Sequence, residues 1–183
     1  FKKNKITRLE GHATIKASNI VNIEGQDYTT KNIVIATGSQ LATLPNIDFD
    51  GTQIISSDEA ISLTKVPTTM VVIGGGYIGL ELGSVWRRLG SEVTIIEYAD
   101  RIVPAMDTEI ASQLQKILAK QGLNFMLGTK VTAAECTDTQ VNLSIEQVAD
   151  GKKDTISAEV ILVSVGRRPY TENLGLENIG ITT

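Results

Sequence analysis

The stretch Val71-Val72-Ile73-Gly74-Gly75-Gly76-Tyr77-Ile78-Gly79-Leu80-Glu81-Leu82-Gly83 decides the fold of this chain. Thr69–Ile73 is an apolar, β-rich run, the pattern of a strand buried on both faces. Tyr77–Leu89 has apolar residues at helical spacing and meets a stop signal at Gly90. Between them the glycines stand as Gly-x-Gly-x-x-Gly, and each has a physical use. Gly74 allows a tight turn at the strand end. Gly76 lets backbone approach a phosphate closely, and Gly79 lets the helix pack against the strand. Gly83 adds a second small position one turn later. The helix start offers free N–H groups and the positive end of its dipole, so it favours an anion. Strand, turn and helix in this order predict an α/β fold whose turn cradles the pyrophosphate of a dinucleotide.

Glu92–Glu97 reads as a second strand ending in an acidic residue. Glu97 follows Gly76 by 21 residues, where such a unit places a carboxylate on the adenosine ribose. A carboxylate accepts hydrogen bonds from ribose hydroxyls and repels a 2′-phosphate, so NAD is expected over NADP. Arg101 is the opposing signal. The bland alternative for Glu97 is a solvated strand end.

The 183 residues suffice for one ordinary domain and a smaller piece, and the hydrophobic fraction of 42% fits a soluble globular protein. Net charge is −4, from 21 acidic and 17 basic residues with no basic cluster, which argues against nucleic acid. No apolar run reaches bilayer length, and no signal peptide is visible. The chain starts at Phe1 rather than Met, which points to a start inside a longer chain. Cys136 and His12 are the only residues of their types. They leave no Cys-x-x-Cys pair and no His–His metal site, and they make a nucleophilic triad implausible. No catalytic residue and no metal ligand is therefore assigned.

Ala13–Ala17, Asn19–Ile23 and Tyr28–Thr30 read as a β-meander with a hairpin turn in Glu24-Gly25-Gln26-Asp27. Asn32–Ala36 reads as a fully apolar strand that runs into Thr37-Gly38-Ser39, a small-residue turn where backbone can meet a ligand. Leu41–Asp50 reads as a loop, and Ser56-Ser57-Asp58-Glu59 as the N-cap of a short helix. Asp107–Gln121 is a capped helix with a buried stripe of Ile110, Leu114, Ile117 and Leu118, closed by Gly122. Asn124–Leu127 is the next strand. Lys130–Cys136, Gln140–Val148 and Lys153–Ser157 alternate as a three-stranded antiparallel meander. Val160–Val165 suits the middle of a parallel sheet and ends in Gly166-Arg167-Arg168-Pro169. The expected division is a β-rich part at 1–45, a connecting segment at 46–66 and a Rossmann-like NAD-binding domain at 67–183.

In this order, the unit Ile73–Ser84, the Glu97 strand end, Val160–Pro169 and the earlier Ile35–Ser39 resemble the two-dinucleotide flavoprotein disulfide reductases. The wording Gly79–Trp86 with Arg88-Leu89-Gly90 and Asn173-Leu174-Gly175-Leu176 is most similar to the dihydrolipoamide dehydrogenase branch of that family. The resemblance implies that Gly74, Gly75, Gly76, Tyr77, Ile78, Gly79, Leu80 and Glu81 wrap the NAD pyrophosphate. Glu81 would face the nicotinamide near the flavin, and Tyr77 could gate that pocket. Glu97 would hold the adenosine ribose, Val131 would sit by the adenine, and Gly166 would contact the nicotinamide side. Residues 1–45 would be a partial FAD-binding domain, in which Gly11, Thr37, Gly38 and Ser39 would touch FAD. The blander readings are an exposed helix position for Glu81, packing for Trp86 and a solvated helix face for Arg87-Arg88.

The family's chemistry needs two cysteines four residues apart against the flavin and a His–Glu pair from a partner subunit. This sequence holds neither, so the resemblance implies a fragment, inactive by itself, of an oxidoreductase. The intact flavoprotein would pass electrons from dihydrolipoamide through a redox-active disulfide and FAD to NAD. Its expected partners are a second copy in a homodimer and the lipoyl domain of a 2-oxo acid dehydrogenase complex. The expected compartment is bacterial cytoplasm or mitochondrial matrix. The alternatives are a sister enzyme (NADH oxidase, mercuric or glutathione reductase) or a non-enzymatic NAD(H)-binding module.

Overall fold

A computed structural model describes residues 1–183. The chain forms two compact units, Phe1–Gln40 with Arg168–Thr183, and Leu41–Arg167. The compact units divide after Gln40 and after Arg167.

In the first unit, β1 (Ala13–Ala17), β2 (Ile20–Ile23) and β3 (Gln26–Thr29) form the expected antiparallel meander. Ile23 pairs with Gln26, so the hairpin turn is Glu24-Gly25 alone. Both turn residues have positive φ, 49° and 87°, as the twist of a two-residue hairpin requires. Ile15 is buried with Leu174 and Leu176. Its N–H donates to the Leu174 carbonyl at 2.7 Å, and its carbonyl accepts from Asn178 Nδ2 at 2.8 Å.

The apolar run Asn32–Ala36 is not the strand that its composition predicts. It lies in no strand, and Val34 is 87% exposed. A strand apolar on both faces needs a neighbour along its edges and a layer over each face. The meander of this unit supplies neither. β4 (Ser39–Leu41) follows directly.

The second unit runs β5 (Ile54–Ile55), α1 (Ser57–Ala60), β6 (Thr69–Ile73), α2 (Tyr77–Leu89), β7 (Glu92–Ile96), α3 (Thr108–Lys120) and β8 (Asn124–Met126). The antiparallel β9 (Thr129–Cys136), β10 (Val141–Gln147) and β11 (Lys153–Ala158) come next, then β12 (Val160–Val163). The short strand β13 (Arg167–Pro169) pairs with β4, and Ser39, Gln40, Arg168 and Pro169 of this pair belong to the first unit. The parallel sheet has the order β5-β12-β6-β7-β8, so the last strand made is inserted between two earlier ones.

Alternation along the strands builds two cores. From β6, Met70 and Val72 join Leu80, Trp86, Ala111 and Leu118 on the helix side. Val71 and Ile73 join Val141, Leu143 and Ile145 of the meander on the other side. Both faces of the sheet are thus covered, which is why β6 and β12 read as continuous apolar runs. Each such side chain, fully buried, contributes about 1.5–3 kcal/mol.

The α3 stripe is narrower than its periodicity predicts. Ala111 and Leu118 are buried and Leu114 packs against them, but Ile110 and Ile117 are 58% and 52% exposed. The helix presents the 111–114–118 row to the core, and the neighbouring apolar row lies outside it.

Candidate functional site

The glycine turn connects β6 to α2. Gly74 has φ of 110°, and a Cβ there would stand 2.5 Å from the Ser164 carbonyl oxygen, so backbone conformation and packing both demand glycine. Gly79 is demanded by packing alone. A Cβ there would collide with the Gly74 carbonyl and lie 2.5 Å from Ser164 Oγ.

Gly76 is different. Its φ of −76° is open to any residue, and a Cβ there would meet nothing within 4 Å. Neither strain nor packing within the chain explains that glycine. The position leaves room for another group to approach the backbone closely.

The caps point the same way. α1 is capped by Ser56 in a complete capping box, and α3 by Asp107, which accepts from the N–H groups of Glu109 and Ile110. The N-cap of α2 is Gly76, with no side-chain bond. Its first N–H groups are therefore available to an anion.

Glu97 follows the end of β7. Its Oε2 accepts from the Gly75 N–H at 2.6 Å, and its Oε1 accepts from the Ala99 N–H at 2.8 Å. The carboxylate thus grips the turn and still keeps lone pairs for further donors. It also borders a cavity of about 270 Å³, lined in addition by Tyr98, Thr129, Lys130 and Val131. Gly74 of the turn, the Glu97 carboxylate and Val131 border the same cavity. Arg101 is not in that lining. Its guanidinium donates to the Pro104 carbonyl at 3.2 Å and sits 4.0 Å from the Asp100 carboxylate.

On α2, Tyr77 and Glu81 are exposed one turn apart. With Leu80, Ser84, Val103 and Met106 they line a second cavity of about 300 Å³. Gly166 lies beyond the end of β12 with φ of 123°.

In the first unit, Thr37 Oγ1 donates to the Tyr170 carbonyl at 2.5 Å, and the Gly38 carbonyl accepts from the Tyr170 N–H at 3.0 Å. Gly38 has φ of 79° and open space where a Cβ would stand. Gly11 has φ of 141°, and a Cβ there would press on the Glu24 side chain at 2.5 Å. Ser39 begins β4.

Trp86 is core, and Arg87 is half-buried against Gly122 with a bond to the Ser91 carbonyl. Arg88 is exposed. His12 is exposed and bonds through its backbone N–H to Glu24. Cys136 is an exposed free thiol 3.7 Å from the Asp50 carboxylate. Burial pushes this thiol up from its ordinary value, and the Asp50 charge adds to that.

Ser164 was not singled out by sequence pattern. The signal was a lone hydroxyl in an apolar run at the C-terminal end of a parallel strand, where ligands bind in such sheets.

The likeness to known proteins covers the whole chain. It is 51% identical over 187 residues to dihydrolipoamide dehydrogenase of Chaetomium thermophilum, covering 99% of this chain and 37% of that protein. It is 49% identical to dihydrolipoyl dehydrogenase 3 of Pseudomonas putida, covering 100% of this chain and 40% of that protein. The chain thus spans about two fifths of the length of these curated relatives. Among solved structures, the HOCl-induced flavoprotein disulfide reductase RclA of Escherichia coli superposes with a TM-score of 0.79 at 29% identity. That match covers 95% of this chain and 39% of that one. The family model described as pyridine nucleotide-disulphide oxidoreductase matches residues 1–183, and the chain belongs to that family.

Proposed function

We propose that this chain is the NAD-binding portion of a dihydrolipoyl dehydrogenase. The observation that carries the reading is Gly76, a glycine that the chain's own backbone and packing leave unexplained, at the start of a helix with no side-chain cap. The residues present fit the dinucleotide. Gly74–Gly79 and the start of α2 would hold the pyrophosphate, with Leu80 and Glu81 on the next turn. The Glu97 carboxylate would accept from the adenosine ribose hydroxyls, and Val131 would border the adenine. Tyr77, Glu81 and Gly166 would belong to the nicotinamide end. When bound, the dinucleotide serves as the acceptor of a hydride. These residues bind it, orient it and select against a 2′-phosphate.

The longer protein would oxidise dihydrolipoamide and deliver the electrons through a disulfide and FAD to NAD. Gly11, Thr37, Gly38 and Ser39 would contribute to its FAD site. The open space at Gly38 fits a close ligand approach, whereas Gly11 is already explained by packing on Glu24. A homodimer and a lipoyl-domain partner complete the proposal. Bacterial cytoplasm or mitochondrial matrix is the proposed compartment, since the relatives include bacterial and mitochondrial enzymes. No helix is long and apolar enough to cross a membrane.

Calorimetric titration of the chain with NADH and NADPH tests the reading. NADH should bind at least tenfold more tightly, on the order of one charged hydrogen-bonded contact. Equal affinity would defeat the cofactor assignment, and no binding of either would defeat the site.

A further inference from the structure

We infer that Ser164 is a positioning residue for the dinucleotide turn. Its hydroxyl ties the end of β6 to the residue following β12 and sets the gap into which the first turn of α2 descends. The inference rests on the reading of Gly74–Gly79 as a dinucleotide turn.

Ser164 interrupts an apolar run at the level where β6 gives way to the turn, since Val163 is the register partner of Ile73. A half-buried hydroxyl there needs a partner. The Ser164 N–H donates to the Ile73 carbonyl at 2.8 Å. Its Oγ lies 3.1 Å from the same carbonyl oxygen and 3.3 Å from that of Gly74. One hydroxyl proton is thus shared between the last carbonyl of the strand and the first of the turn.

The same residue touches the glycines on either side of Gly76. Its carbonyl oxygen lies 2.5 Å from the place of a Gly74 Cβ, and its Oγ lies 2.5 Å from the place of a Gly79 Cβ. Glu97 holds Gly75 from the β7 side, and Ser164 holds Gly74 from the β12 side. Loss of the hydroxyl frees the Gly74 carbonyl and opens space under Gly79. The N–H groups that follow then lose a fixed direction, and fixed direction is what lets them bind an anion without an ordering cost.

The adenosine cavity is bordered by Glu97, Lys130 and Val131 and does not include Ser164. The two ends of the ligand therefore report separately. The test is titration of the chain and of Ser164→Ala with NADH, ADP-ribose and adenosine. Ser164→Ala should weaken NADH and ADP-ribose by about 3- to 10-fold, the range of one neutral hydrogen bond. Adenosine affinity should stay unchanged.

Ser164→Thr keeps the hydroxyl and should bind ADP-ribose within about twofold of the parent, less than one hydrogen bond. Unchanged NADH affinity in Ser164→Ala overturns the inference. So does an equal loss for all three ligands, which is the mark of a general structural defect, and so does a Thr variant as weak as Ala. If the unaltered chain binds none of the three, the dinucleotide reading itself fails and the inference falls with it.

Discussion

The Glu97 carboxylate accepts the Gly75 N–H at 2.6 Å, so the residue expected to meet the ribose also clasps the glycine turn. A second oxygen on the Ala99 N–H fixes the carboxylate plane. On the proposed reading, recognition of the sugar and the shape of the phosphate site would both depend on this one side chain. Glu97→Gln keeps the size and loses the charge. It should weaken NADH by about 10- to 100-fold, the range for hydrogen bonds to a charged group. It should also narrow the preference over NADPH. Parallel fluorescence titrations with the two cofactors check this, and an unchanged ratio would exclude Glu97 from sugar recognition.

Two glycines in one turn should respond oppositely to the same methyl group. Gly79→Ala drives a Cβ into the Gly74 carbonyl and Ser164 Oγ, with an expected loss of stability of about 1–3 kcal/mol. Gly76→Ala places its Cβ in open space at an ordinary φ and should leave the denaturation midpoint unchanged. Its effect should fall on NADH, with a loss of affinity of about tenfold or more, as expected of an intruding group at a close contact. Urea unfolding and NADH titration of both variants give the comparison.

Asp50 gives the second unit an acid-sensitive point. Partial burial raises its pKa, but the N–H groups of Thr52, Ile54 and Gln53 and the Thr52 hydroxyl together hold it below the ordinary aspartate value. A lowered folded pKa means stability that is present in full above the unfolded value. It is lost as pH falls below about 4 and through the folded pKa. Asp50→Asn should therefore lower the midpoint of unfolding at pH 6, and the gap from the parent should narrow as pH falls below about 4. A constant gap across that window would contradict the assignment.

The Cys136 thiol should alkylate slowly at neutral pH despite its exposure, because burial and then the neighbouring Asp50 charge disfavour the thiolate. Asp50→Asn removes the charge and should speed iodoacetamide modification at pH 8. Equal rates in the two proteins would mean that Asp50 does not govern the thiol.

Local signals were the legible part of this chain. The Gly-x-Gly-x-x-Gly turn, the caps at Ser56 and Asp107 and the acidic end at Glu97 each follow from a few neighbouring residues. What escaped depends on distant chain. Asn32–Ala36 has strand composition, yet a strand exists only where another pairs with it. Ile110 and Ile117 match the helical period, but rotation of α3 on the sheet leaves them outside the core. Ser164 gained its role from a strand 91 residues earlier, a pairing that no local pattern announces. The ordinary φ of Gly76 and the open space beside it likewise belong to three dimensions.

The strand order β5-β12-β6-β7-β8 has a consequence for synthesis. During translation, the turn at Gly74 leaves the ribosome 90 residues ahead of the serine that braces it. Until β12 slides in between β5 and β6, the nascent sheet has a slot beside β6 and the turn has no support beneath it. Closing that slot joins distant segments, the slow class of folding event. Cofactor capture is therefore a late acquisition of the growing chain, and a nascent chain stalled before Val160 should carry the whole glycine signature without retaining NADH.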